Sequence, residues 1–124
     1  MNKIYEQAGL LQEELVAIRR ELHRNVEVGT KLPNTKALVR RKLTEYGYAP
    51  EDIAESSVTA AISGDLPGRT LLLRADMDGL AIREETSLPF QSVNGAMHAC
   101  GHDMHTTMLL GAAKLLRMYR NQIH

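Results

Sequence analysis

The sequence predicts an α/β domain. Three observations carry that expectation. Two amphipathic helical patterns lie before residue 47. The pattern changes after Pro50 to short runs of small, β-branched and aliphatic residues. Helical spacing then returns after about residue 103. At 124 residues the chain has room for one domain.

Each element has a local reason. Leu11, Leu15, Ile18 and Leu22 recur at helical spacing, with Glu13, Arg19 and Arg20 off that stripe, so a first helix is expected there with His23 near its end. Gly29 and Pro33 break the following loop, and Asn34 or Thr35 is the expected N-cap of a second helix. That helix carries Leu38, Val39, Lys42, Leu43 and Tyr46 on one face and stops at Gly47, a residue suited to the left-handed C′ position. Residues 58–63 read as a strand, Leu66-Pro67-Gly68-Arg69 as a turn, and the continuous apolar run 70–75 as a strand buried on both faces. The two strands are expected to pair as a hairpin. The last helix is expected from about Asp103 to Tyr119, with Met108, Ala112, Leu115, Leu116 and Tyr119 facing the core and Gly111 thin enough for close approach to a sheet.

Chemistry concentrates at the entrance of that last helix. Residues 97–107 hold the only cysteine, Cys100, and three of the five histidines, His98, His102 and His105. Thiolate and imidazole are the donors preferred by Zn²⁺, and imidazole also suits Mn²⁺, Co²⁺ and Ni²⁺. In an extended approach Cys100 and His102 face the same side. Asp103 is a candidate helix cap and an outer acceptor orienting an imidazole. The plainer alternative is a buried Cys beside surface histidines. Upstream, Asp76 and Asp78 stand at i and i+2 after the buried run, where open α/β sheets place function; the competing reading is an acidic turn. A loop over 83–96 is long enough to suggest a functional role.

Other classes are disfavoured. The formal net charge is zero, which supplies no basic field for nucleic acid and no polybasic membrane tether. No apolar run approaches the ~20 residues of a membrane span. The first residues lack the apolar core of a secretion signal. A single cysteine precludes an internal disulfide and fits a reducing cytoplasm.

Leu73-Arg74-Ala75-Asp76-Met77-Asp78 followed by Met97-His98-Ala99-Cys100-Gly101-His102-Asp103 resembles the dinuclear metallopeptidase family of aminoacylases and carboxypeptidase G, peptidase family M-twenty. The nearest branch is that of hippurate hydrolase and the N-acyl-amino-acid amidohydrolases. Arg19-Arg20-Glu21-Leu22-His23, Glu84 to Phe90 and Leu109 to Ala113 extend the resemblance over most of the chain. It implies helices packed on a mixed sheet, a lid domain inserted later, and two divalent ions (Zn, Mn, Co or Ni). It implies hydrolysis of the amide of a small N-acyl amino acid. Cys100 and His102 match two of the family's metal ligands, and Asp78 matches its supporting aspartate. Asp76 stands where other branches carry a histidine ligand, and its role stays open, as do those of His98 and His105.

The resemblance has departures. Val26 stands where the family usually has Pro before Glu, and Gly79-Leu80-Ala81 where Ala-Leu-Pro is usual. The first is expected to loosen the turn after the first helix, since Pro fixes φ. The family's general-base Glu-Glu pair, its other glutamate and histidine ligands and its lid all fall beyond residue 124. Glu84-Glu85 precedes the Cys-Gly-His motif and is not that pair. Residues 1–124 are therefore expected to form the N-terminal part of an amidohydrolase catalytic domain, inactive alone, with an uncovered core that favours homo-oligomers. The alternative is a non-catalytic metal-binding or interaction module.

Overall fold

In a computed structural model, residues 3–124 are described. Met1 and Asn2, at the head of the stretch read for a leader, lie outside the described residues. Helices α1 (Lys3–Leu10), α2 (Gln12–Arg24), α3 (Pro33–Glu45) and α4 (His102–Met118) are joined by a hairpin of β1 (Glu51–Ala54) and β2 (Ser57–Thr59) and long extended segments. A single 3₁₀ turn, Arg120–Gln122, follows α4.

The core is a helix-on-helix layer. Ile18 and Leu22 of α2, Leu38, Val39 and Leu43 of α3, Tyr46 and Leu110 of α4 bury together, with Leu15, Val58 and Met77 against them. Each such aliphatic side chain contributes about 1.5–3 kcal/mol on full burial. Two departures from the expected helix limits have local causes. Pro33 is not a breaker but the first turn of α3, where its missing N–H costs nothing. The cap comes from Glu27, whose carboxylate accepts the backbone N–H of Asn34 at 3.1 Å and of Thr35 at 2.8 Å. Burial pushes the Glu27 carboxyl up, but these hydrogen bonds outweigh it and hold its pKa below the usual value. The end of α3 is as expected. Gly47 has φ 85°, and Tyr48 N–H and Gly47 N–H return to Leu43 O and Thr44 O, closing a Schellman motif.

The face of α4 is not the expected one. Asp103, Thr106, Thr107, Leu110 and Gly111 are buried, whereas Met108 is 57% exposed. Gly111 makes its close approach to a helix rather than a sheet, since a Cβ there would lie 3.1 Å from Leu15 Cδ1. Thr107 returns its hydroxyl to Asp103 O at 2.7 Å, which removes one polar group from the buried stripe.

The strand pairing also differs. Residues 57–59 pair antiparallel with Glu51–Ala54 rather than with 70–75. Lys36 and Arg40 of α3 account for part of this preference: both reach Asp52, at 2.9 Å each, and Lys36 Nζ also donates to Glu55 O. The run 70–75 has no ladder partners among the described residues, and Leu71 and Leu72 are 80% and 84% exposed. An apolar pattern can state that a strand should be buried; only a neighbouring strand can supply its backbone hydrogen bonds.

Two isolated bridges organise the remaining segments. Val28 pairs parallel with Gly79, through Gly79 N–H to Glu27 O at 2.7 Å, and Leu80 pairs antiparallel with Met97. The second bridge closes the neck of the 83–96 loop. The two departures from the family pattern meet at the first bridge. A Cβ on Gly79 would lie 2.1 Å from Val26 Cγ2. Val26 is fully buried, and Asn94 Nδ2 donates to its carbonyl at 2.8 Å, so the turn is filled and tied rather than loosened.

Candidate metal centre

The Cys-Gly-His segment is a turn, not the expected extended approach. Gly101 N–H returns to His98 O at 3.1 Å, and Gly101 adopts φ 80°, the left-handed conformation that glycine enters without steric cost. His102 is the first residue of α4. Gly101 occupies the N-cap position, so no side chain caps the helix there.

His102 meets the aspartate expected beside the site. Its Nδ1 lies 3.0 Å from Asp78 Oδ1 and 2.9 Å from Asp78 O. A hydrogen on Nδ1 satisfies both acceptors and leaves the Nε2 lone pair free, the tautomer a metal-binding imidazole needs. Asp78 therefore has the orienting part that Asp103 was expected to play. Asp76 goes elsewhere: its carboxylate takes the Arg74 guanidinium, and its carbonyl accepts the Thr106 hydroxyl at 3.0 Å. The two aspartates do not converge on one point. His105 stacks on His102, with ring centroids 5.5 Å apart. Cys100 is an exposed free thiol.

Behind this open face lies a buried network that the sequence reading did not foresee. His23 sits between two carboxylates: Nδ1 is 2.7 Å from Asp103 Oδ2, and Nε2 is 3.0 Å from Glu84 Oε1. Both contacts are satisfied when both ring nitrogens carry a hydrogen. Arg19 Nε donates to the same Asp103 oxygen at 2.8 Å. Glu84 also accepts the Thr86 hydroxyl and the Ser92 N–H. Burial pushes the Glu84 carboxyl up, yet the hydrogen bonds from Thr86, His23 and Ser92 prevail and hold it below the ordinary range. Phe90 packs edge-on to His23, and the guanidinium groups of Arg19 and Arg20 lie 5.1 and 5.0 Å from its centroid. The available signal was the i, i+4 spacing of Arg19 and His23 beside an apolar stripe, with an acid in the first turn of α4. Nothing in that spacing names the partner.

His98 lies next to this network, its ring 6.3 Å from that of His23. It is buried, and neither of its ring nitrogens has a partner among the described residues. Burial lowers its pKa, the largest of several influences.

The donor set suits a borderline ion but does not close around one. A free thiol and a correctly oriented imidazole are two donors, and an orphaned buried imidazole lies nearby. Among the described residues, no three His, Cys, Asp or Glu side chains come together to hold a metal ion. About three protein ligands plus water complete a catalytic zinc site.

An exposed thiol and an oriented imidazole at one helix entrance place the chain in the class of candidate metal-binding domains. Comparison with known proteins narrows this class. Residues 72–124 match the model of peptidase family M20/M25/M40. Thermostable carboxypeptidase 1 of Saccharolobus solfataricus is 44% identical over 109 residues, which cover 86% of this chain and 28% of that protein. The N-acyl-L-amino acid amidohydrolase of Geobacillus stearothermophilus is 41% identical over 115 residues, 91% of this chain and 31% of that protein. Among solved structures, the YXEP protein of Bacillus subtilis, described as a dinuclear metal-binding peptidase of the M20 family, superposes with a TM-score of 0.85 at 39% identity, over 93% of this chain and 33% of its own. The chain belongs to peptidase family M20/M25/M40. It spans under a third of the length of those two sequence relatives.

Proposed function

We propose that residues 1–124 form the N-terminal part of the catalytic domain of a metal-dependent amidohydrolase acting on N-acyl amino acids. Cys100 and His102 are its metal ligands here, and Asp78 supports His102. The observation that carries this reading is the Asp78–His102 contact, which leaves Nε2 of the imidazole unpaired two residues from an exposed free thiol. Divalent ions, when bound, supply polarisation of the amide carbonyl and activation of water. This chain's residues hold and orient, and Glu84 is not free to act as a general base. Glu84 is buried with three partners, and Glu85 is outside that network. The free thiol fits a reducing cytoplasm. No helix among the described residues is long and apolar enough to cross a membrane. Leu71 and Leu72, exposed on an unpaired run, are the surface on which copies of the chain associate.

Cobalt titration followed by visible absorption tests the ligands. A thiolate-to-cobalt band that disappears in Cys100→Ser is expected; a band unchanged by that substitution would rule out the sulfur. The chain alone is expected not to hydrolyse N-acetyl or N-benzoyl amino acids. Turnover with added Mn²⁺ or Zn²⁺ that is lost in His102→Ala would overturn that expectation. Light scattering is expected to report association that Leu71→Lys weakens.

A further inference from the structure

We propose that His23 is a positioning residue for the thiol–imidazole turn, acting through Asp103. The inference rests on the metal-site reading above for its consequence, but not for its geometry. The N-cap position of α4 is a left-handed glycine and offers no capping side chain. Glycine restrains the chain least of all residues, so the direction in which Cys100 and His102 leave the turn depends on what grips the residues around it: Asp78 holds His102 itself, and Asp103 is gripped beside it. Asp103 is the residue next to His102, and it is 1% exposed. One of its carboxylate oxygens, Oδ1, accepts Met104 N–H at 2.9 Å, within α4. The other, Oδ2, is held from α2 by His23 at 2.7 Å and by Arg19 at 2.8 Å.

His23 is the fixed end of that grip. Its second nitrogen is held by Glu84 at 3.0 Å, and Glu84 is itself immobilised by Thr86 and by Ser92 N–H at 2.6 Å. The loop over 83–96, closed at its neck by the Leu80–Met97 bridge, thus reaches the metal-bearing turn through one imidazole. Burial leaves His23 no route to a substrate, so its part is to orient.

Two readouts test this in the intact chain. Without metal, the Nδ1 hydrogen of His102 is followed by NMR, with the Leu38 and Leu43 methyl groups of α3 as core references. With Co²⁺, affinity is titrated. In His23→Gln the Nδ1 hydrogen is expected to broaden or vanish while the core references stay, and Co²⁺ affinity is expected to fall by about 10–100-fold, the usual loss for an outer-shell partner. Should His23→Gln fail to fold, His23→Leu with Glu84→Leu is read instead. It removes the imidazole together with the Glu84 carboxylate it serves and leaves Arg19 paired with Asp103. Either folded variant with its His102 Nδ1 hydrogen intact and Co²⁺ affinity within about twofold of the parent, far inside that outer-shell range, would overturn the proposal. A parent chain that binds no Co²⁺, with the NMR change as expected, would instead support the positioning role and remove the metal reading.

Discussion

Two histidine–carboxylate contacts lie on the first turn of α4, one residue apart, and they are built for opposite ends. Asp103 faces inward, fully buried, and its partner His23 has both ring nitrogens paired. Asp78 and His102 are less enclosed; their side chains are 41% and 19% exposed, and only one nitrogen of His102 is paired. The inner pair is closed, and every polar atom of its imidazole is accounted for. The outer pair keeps one nitrogen in reserve. Adjacent residues on a helix point about 100° apart, so a single turn can anchor with one and present the other.

The contrast is most easily broken from the inside. His23→Ala removes one donor from each of two buried carboxylates and is expected to cost about 1–3 kcal/mol in urea or thermal unfolding. His105→Ala, on the exposed stacked ring, is expected to stay within about 0.5 kcal/mol. Equal losses would erase the distinction between anchor and open face.

The segment that delivers Asp78 is packed just as tightly. Gly79 has no left-handed φ to explain it; its main constraint is Val26 Cγ2, with the Met97 carbonyl 3.1 Å from where a Cβ would lie. Gly79→Ala is expected to cost about 1–3 kcal/mol by overpacking. Val26→Ala opens that space, and the double variant should recover most of the loss, giving a coupling well above the additive limit of about 0.5 kcal/mol. Simple additivity would show that the two departures from the family pattern are independent.

On the outer face the effect moves from stability to binding. Asp78→Asn keeps the size of the side chain and weakens its hold on His102, so Co²⁺ affinity should drop by about 10–100-fold with the melting temperature nearly unchanged. A drop in melting temperature without a change in affinity would make the outer pair a second anchor.

Acid sharpens the comparison further. Glu84 has a folded pKa below its ordinary value of 4.5. Its ionised form therefore stabilises the native state fully above the unfolded pKa, and that contribution is lost as pH falls through the folded one. The stability of the parent chain should decline below about pH 4.5, and the decline should be shallower in Glu84→Gln. An identical pH slope in both would separate Glu84 from the inner anchor.

The sequence by itself marked α2, α3 and the candidate donors, but not α1 (Lys3–Leu10). The stripes of α2 and α3 were legible because a 3.6-residue period survives in one dimension, and Gly47 marked the end of α3 for the same local reason. Cys100, His102 and Asp78 were legible because their motifs are contiguous. Tertiary structure decided the rest. It moved the cap of α3 to Glu27, gave residues 57–59 the partner 51–54, and turned the Asp103 face of α4 inward in place of Met108. It also joined Arg19, His23, Glu84 and Asp103, up to 84 residues apart, into one buried network. Pairing between distant polar groups leaves no period in a sequence. It becomes visible only when desolvation makes each buried charge depend on the one it meets.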